Sequence, residues 1–183
     1  NAEVLLDSLN PNGNRLTTLR ITLPRFLLAE LNTHRRFSKS AGSSRAISVE
    51  RRIRMVEESP FVPEVFGQNQ RGMQAQNALE TKLADRARTE WLLAARKAIE
   101  SARGLAHLGV HKQLANRILE PFAWVSVIVS STEWDNFFTL RISPLAQPEL
   151  RKIAEMMKDA LDASRPNSVP WSFWHIPLAD DKY

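Results

Sequence analysis

Apolar residues recur at two spacings along this chain, and the change from one to the other divides it into elements. Residues 2–9 and 15–23 carry β-rich stretches, the second as Thr17-Thr18-Leu19-Arg20-Ile21-Thr22-Leu23 with partial alternation. Between them Asn10-Pro11-Asn12-Gly13-Asn14 is a strong turn signal, so a hairpin is expected. Pro24 through Leu31 reads as a helix opened by proline at its first turn, and Ala41-Gly42-Ser43-Ser44 as a loop. Ser48 caps a short helix running to Val56, with Val49, Ile53 and Val56 on one face. Residues 74–103 form the longest helical pattern, with Ala78, Leu79, Leu83, Ala87, Trp91, Leu92, Ala95 and Ile99 at helical spacing. Such a stripe suits a core or an oligomer interface, and Gly104 is its expected break. A helix over Lys112–Leu119 ends near Glu120-Pro121, with Gln113 and Arg117 on a shared face. Phe122–Ser131 is β-branched and aromatic and reads as a buried strand. Ser131–Asn136 is a polar turn or a helix start. Phe137–Ser143 is short and apolar around Arg141, which either pairs with an acid of this chain or faces a ligand. A last helix opens at Gln147-Pro148-Glu149 and runs to residue 163 on a stripe of Leu150, Ile153, Ala154, Met157 and Leu161. The tail around Val169–Pro177 reads as an extended arm, packed on its own subunit or on another.

The 183 residues suit one domain and admit a small second lobe. No apolar run approaches the ~20 residues of a membrane span, and Asn1-Ala2-Glu3 does not open a signal peptide. A cytoplasmic location is expected. The chain does not begin with Met, so residues can precede Asn1. Cysteine is absent, which excludes disulfides, thiolate metal sites and thiolate nucleophiles within these residues. Four scattered histidines argue against a metal centre. His107 and His111 are spaced i, i+4 but read as a surface pair rather than a chelate, because no HExxH context accompanies them. A net charge of +5 favours anionic partners. No GxGxxG or Walker motif supports a Rossmann or P-loop site.

The candidate chemistry concentrates in Asn32–Arg45, where one His, three Arg, one Lys and four Ser fall together. Almost every side chain there can donate to an anionic oxygen, arginine bidentately. The stretch is a grip on phosphate or a solvated basic loop. Written as Thr33-His34-Arg35-x-x-Ser38-x-Ser40-x-x-Ser43-x-Arg45, it resembles the Arg-His-Arg-x-x-Ser-x-Asn-x-x-Ser-x-Arg motif of the flavin-dependent thymidylate synthases. Two further segments fit the family in order and spacing. One is the helix bearing Arg117. The other is Asn136-Phe137-Phe138-Thr139-Leu140-Arg141 followed by Ala146-Gln147-Pro148-Glu149-Leu150. Together they cover roughly residues 15–163.

The resemblance implies an α/β fold with an antiparallel sheet and long amphipathic helices over residues 1–165, followed by the 166–183 arm. It implies methylation of dUMP to dTMP, with methylenetetrahydrofolate as carbon donor and FAD, reduced by NADPH, as the source of reducing equivalents. It implies a homotetramer with shared active sites, and neither a membrane nor nucleic acid as partner. Arg141 matches the residue that promotes ionisation of dUMP at N3. This accords with the missing cysteine, because uracil C5 can be activated without a thiolate by stabilising charge on the N3/O2/O4 system. Ala41, Gly42, Ser43, Ser44, Arg45, Arg117, Glu30 and Thr33 match dUMP-binding positions, with Ser43 and Arg45 at the phosphate. Thr33, His34, Arg35, Ala41, Ser130, Ser131, Thr132 and Asn136 match FAD-contacting positions. Several residues depart from the family pattern. Thr33 replaces the first motif Arg, Ser40 replaces the Asn, and Ala41 stands where a carboxylate is common. No His precedes His34, and Leu145 stands where a His can occur. These departures resemble a divergent, phage-like branch. Related uracil-nucleotide chemistry such as hydroxymethylation, a catalytically silent homologue and a nucleic-acid-binding module are the rival readings.

Overall fold

The computed structural model describes residues 1–72, 74–75, 77–173 and 175–178. In chain order the elements are β1 (Ala2–Leu9), β2 (Arg15–Pro24), α1 (Leu28–Asn32), β3 (Ser38–Ala41), α2 (Val49–Glu58), α3 (Thr81–His107), α4 (Lys112–Ala115), β4 (Trp124–Ser131), α5 (Asp135–Arg141), α6 (Pro148–Ala163) and β5 (Asn167–Ser168). They fall into two compact units. The first comprises Asn1–Leu23, Leu28–Ala41 and the chain from Ser126; the second comprises Pro24–Leu27 and Gly42–Val125.

The first unit is built on a sheet of order β3-β4-β2-β1-β5. The expected hairpin forms: β1 and β2 pair antiparallel, with Ala2 opposite Ile21 and Leu9 opposite Arg15. Its turn is tied by Asn10, whose Oδ1 accepts the N–H groups of Asn12 and Asn14, and Gly13 takes a φ of +80° that other residues avoid. β3 and β4 also pair antiparallel, from Ser38 opposite Ser130 to Ala41 opposite Val127. The hydroxyl pairs Thr18–Ser130 and Thr22–Ser126 step up β2 and down β4, the antiparallel sense again. The sheet is not wholly antiparallel, because β5 joins β1 in parallel. Val127, Val129 and Ser131 of β4 are buried in alternation, so one face of the strand meets the core. α6 packs on β1 and α5, and its expected stripe of Leu150, Ile153, Ala154, Met157 and Leu161 is buried.

The second unit is helical. Val49, Ile53 and Val56 of α2 meet Ala95, Ala98, Ile99 and Ala102 of α3 in one cluster with Leu119 and Phe122. Trp91 Nε1 donates to Phe61 O at 2.8 Å. The long helix differs from expectation at both ends. It starts at Thr81, because the chain before it makes a bridge between Gly67 and Ala78, with Leu79 N–H bonded to Phe66 O. Met73 and Gln76 lie outside the described residues. Gly104 does not break it, since one glycine costs only ~1 kcal/mol relative to alanine. The stop is Gly109, with φ +78° and the paired bonds Gly109 N–H to Ala106 O and Val110 N–H to Leu105 O of a Schellman end.

Three other expectations change. Pro24 closes β2 rather than opening a helix, and a 3₁₀ turn over Arg25–Leu27 precedes α1. The helix expected over 112–119 is a single α turn followed by a 3₁₀ segment, Asn116–Phe122, that contains Pro121. Proline supplies no N–H and disfavours α geometry in the residue before it, so the tighter turn prevails and β4 begins only at Trp124. Loop residue Ala41 ends the short strand β3, and a 3₁₀ turn forms over Ser44–Ala46. In the tail, the His175 ring sits between Ser8 Oγ at 3.0 Å and Thr18 Oγ1 at 2.8 Å. Among the described residues no helix is long and apolar enough to cross a membrane.

Candidate active site

The site of the first unit starts at the end of α1. Thr33 Oγ1 donates to Glu30 O at 2.7 Å, and Lys39 Nζ donates to the carbonyls of His34 at 2.5 Å, Leu31 at 3.3 Å and Asn32 at 3.4 Å. An ammonium on carbonyls at and just past the helix end adds to the backbone bonds from His34 N–H to Leu31 O and from Phe37 N–H to His34 O, and fixes the turn that follows. That turn points His34 inward, where it is only 9% exposed. Its ring meets Phe137 edge-on at 4.8 Å, while Phe37 packs between Trp134 at 4.8 Å and Phe137 at 4.9 Å. Such tilted aromatic pairs each add ~1 kcal/mol beyond their burial.

The facing wall follows β4. Ser131 Oγ accepts the Glu133 N–H at 3.0 Å and lies 3.1 Å from Arg36 O, joining the two loops. The polar stretch after it is a helix start, and α5 buries Phe137 and Phe138. Arg141 is the last residue of α5, where a cation suits the helix dipole. Its Nε donates to His34 Nε2 at 2.9 Å. Nε2 must therefore carry no proton, and the neutral ring holds its proton on Nδ1. Burial, then the Arg141 and Lys39 charges, hold the His34 pKa below its ordinary value, which favours that neutral form.

Between these walls lies a cleft of about 800 Å³. Four arginines line it, Arg15, Arg35, Arg36 and Arg141, against Glu133 and Asp135. Arg15 is held by Asp7 at 2.7 Å, and Arg36 by Glu133 at 3.1 Å. Arg35 makes no ion pair among the described residues and is exposed. Trp134 contributes a buried Nε1–H without a partner among the described residues. The cleft is thus an aromatic-walled, electropositive opening with unused donors, suited to a flat anionic ligand.

Six of the residues expected from sequence meet there: Thr33, His34, Arg35, Thr132, Asn136 and Arg141. Thr33 lines the cleft with its hydroxyl already bonded to Glu30 O. Glu30, Ala41, Ser130 and Ser131 do not line it. Ser130 shares a hydrogen bond with Thr18 at 2.6 Å, and Ser131 holds the wall. Among the described residues the side-chain partner of Arg141 is a histidine and not an acid. Phe37, Glu133, Trp134, Asp135 and Leu140 also line the cleft and were not singled out by sequence. Their place follows from the two motif loops facing each other, which spacing along the chain does not reveal.

Gly42, Ser43, Ser44, Arg45 and Arg117 belong to the second unit. There Glu120 accepts from Arg25 Nε at 2.9 Å, from Arg117 Nη1 at 3.1 Å and from the Ser44 hydroxyl. Burial pushes the Glu120 carboxyl up, but the bonds from Ser44 and Arg25 outweigh it and hold its pKa below the usual range. Arg25 Nη1 also donates to Gly42 O at 2.8 Å, and Asn116 Nδ2 to Ser44 O at 2.7 Å, so the loop is fixed at both ends. Arg45 is exposed and without an ion pair among the described residues. His111 caps α4 through Nδ1, which accepts Gln113 N–H at 3.2 Å. Among the described residues no group of three potential ligands could hold a metal ion.

The sequence profile of the family described as "Thymidylate synthase complementing protein" matches residues 16–167, a span that includes the cleft loops, Arg117 and Arg141. The chain belongs to that family, the flavin-dependent thymidylate synthases. Solved structures similar to this family member include a UMP/dUMP methylase PolB from Streptomyces cacaoi bound with 5-Br UMP. It has a TM-score of 0.68 at 16% identity, over 88% of this chain and 87% of that one. The same methylase bound with 5-Br dUMP gives 0.65 at 18% identity, over 80% of this chain and 65% of that one, so here the family member spans under two thirds of its relative. The flavin-dependent thymidylate synthase ThyX from Helicobacter pylori, complexed with FAD and dUMP, gives 0.54 at 23% identity, over 80% and 67%. A comparison with curated protein sequences found no significant match.

Proposed function

We propose that this protein methylates dUMP to dTMP, binding FAD and the uracil nucleotide in the cleft of the first unit, with methylenetetrahydrofolate as carbon donor and NADPH as reductant. The observation that carries this is the convergence of Thr33–Phe37 and Thr132–Arg141 on one electropositive cleft, with an arginine held on a neutral histidine inside it. The cleft fits the ligands chemically. Its volume lies within the ~300–1,000 Å³ usual for small-molecule sites, its walls are aromatic, and Arg35 offers an unpaired guanidinium to a phosphate.

Arg35, Thr132 and Asn136 would hold the cofactor, with Thr33 beside them. When bound and reduced, FAD supplies the electrons that convert the transferred methylene into a methyl group. Arg141 supplies what the absent thiolate cannot: a fixed cation that stabilises negative charge on the uracil N3/O2/O4 system as C5 becomes nucleophilic. Its Nε is occupied by His34, which leaves the two terminal nitrogens to face the base. Ser43, Arg45 and Arg117, with Gly42, Ser44 and Ala41 in the same loop region, match dUMP-binding positions of the family and would supply a phosphate grip to the shared active sites of the assembly. Assembly as a homotetramer belongs to the same proposal, and the exposed Leu108, Leu114 and Ile118 of the second unit support a further contact.

The test is turnover of dUMP with labelled methylenetetrahydrofolate, FAD and NADPH, with products identified by mass spectrometry. Labelled dTMP is expected. A hydroxymethyl product, or no product, would overturn the assignment. The similarity to a UMP/dUMP methylase over most of both chains favours one added arm, UMP in place of dUMP. Replacing Arg141 by Ala should lower turnover on the order of 10²- to 10³-fold while FAD is retained. Wild-type turnover in that variant would contradict the role.

A further inference from the structure

We propose that His34 is a positioning residue for Arg141, holding the guanidinium through a hydrogen bond to its unprotonated Nε2. The inference deepens the proposed function and rests on the role given there to Arg141. Three observations carry it. The bond is 2.9 Å long and joins side chains 107 residues apart, so it is a product of the fold and not of local chain geometry. The ring is 9% exposed and edge-packed on Phe137, which leaves it little freedom to turn toward a ligand. Its backbone is fixed independently, because Lys39 Nζ donates to His34 O at 2.5 Å.

An arginine has five N–H donors on a flexible stem and several ways to lie in a cleft. A rigid acceptor on Nε fixes the plane of the guanidinium and directs the terminal nitrogens. A neutral acceptor also leaves the guanidinium's charge unneutralised, whereas a carboxylate would draw it away from the base. This is why a histidine suits the place and an acid would not. The charged groups facing the ring are Arg141 from α5 and Lys39 from β3, both cations that oppose its protonation. The structure thereby links protonation to orientation. When the ring binds a proton, Nε2 becomes a donor facing a donor, and the bond is lost.

The direct test is ¹⁵N NMR of the histidine rings in the ligand-free protein, combined with kinetics. The expected ring is neutral with its proton on Nδ1 and titrates below 6.5, and Arg141→Leu should raise that midpoint. A proton on Nε2, or a midpoint indifferent to Arg141→Leu, would overturn the inference. In turnover, His34→Ala should lose on the order of a hundredfold in kcat with FAD retained. His34→Gln, which keeps an acceptor that does not titrate, should recover most of kcat and abolish the wild-type fall in activity below pH 6.5. Loss of FAD from both variants would make His34 a cofactor contact and overturn the positioning role. Unchanged kcat in both, with Arg141→Ala inactive, would also overturn it and leave the assignment of Arg141 intact. Full activity of Arg141→Ala would instead remove the reading beneath it.

Discussion

At Arg141 the backbone supplies a place and a neighbour supplies the direction. The residue ends α5, beside two buried phenylalanines, and its Nε meets His34. Polar residues in an apolar setting are held by partners, and the identity of the partner decides what the residue can do. Asp7 shows the structural version of the same rule. It is 5% exposed and accepts from Arg15 at 2.7 Å, Thr17 at 2.9 Å and Ser164 at 2.7 Å. Burial pushes its carboxyl up, but these bonds prevail and its pKa lies below the usual value. Replacing Asp7 by Ala removes the acceptor shared by Arg15, Thr17 and Ser164, while Arg15 keeps its bonds to Leu161 O and Ser164 O, and should cost about 2 kcal/mol in a urea titration. A loss under 0.5 kcal/mol would contradict that account. How much of this was legible differs by residue. The spacing Asn-x-x-x-x-Arg matches the family and singles out Asn136 and Arg141, and both line the cleft. The bond from Arg141 to His34 was not legible, because nothing in a linear pattern couples residues so far apart.

Among the elements, amphipathic pattern was the most readable signal and termination the least. The α6 stripe is buried as expected, and the β1–β2 hairpin forms around its Asn-Pro-Asn-Gly-Asn turn. The start of α3 was misread because Ala78 and Leu79 continue the apolar period, yet they belong to a bridge with the Gly67 region. Its stop was misread because two glycines compete, and only Gly109 takes a positive φ. A Cβ at Gly109 would meet no neighbour, so the penalty there is purely conformational. Gly109→Ala should therefore destabilise the second unit by about 1 kcal/mol, whereas Gly104→Ala should stabilise it slightly. Melting temperatures of the two variants check this, and a fall for Gly104→Ala alone would contradict it. β3 was missed because Ser38-Lys39-Ser40-Ala41 has no strand signature of its own, and pairing with the Val-rich β4 determines it.

For the whole molecule, two of the three carboxylates with depressed pKa values, Asp7 and Glu120, are held inside the fold and shape the response to acid, while the third, Glu50, is exposed. Asp7 and Glu120 bind protons less readily folded than unfolded, so their contribution is complete above the ordinary carboxylate range and is lost as pH falls through their folded values. The melting temperature should begin to fall as pH drops through the ordinary histidine range, because burial makes His34 and His175 bind protons less readily folded than unfolded, and should fall further below the ordinary carboxylate range; a melting temperature level from pH 7 to 3 would contradict this. Three motif segments in order were enough to anticipate the family and the α/β class, because residue type and spacing match the family in each. They did not reveal the two-unit division or the parallel β5, which depend on packing between distant segments. The central claim is that the cleft of the first unit holds a flavin beside a uracil nucleotide. The most direct measurement is the visible spectrum of the purified protein after addition of FAD and removal of unbound cofactor, with and without dUMP. Retained flavin bands that shift on adding dUMP are predicted, and protein that keeps no flavin in either condition would contradict the account.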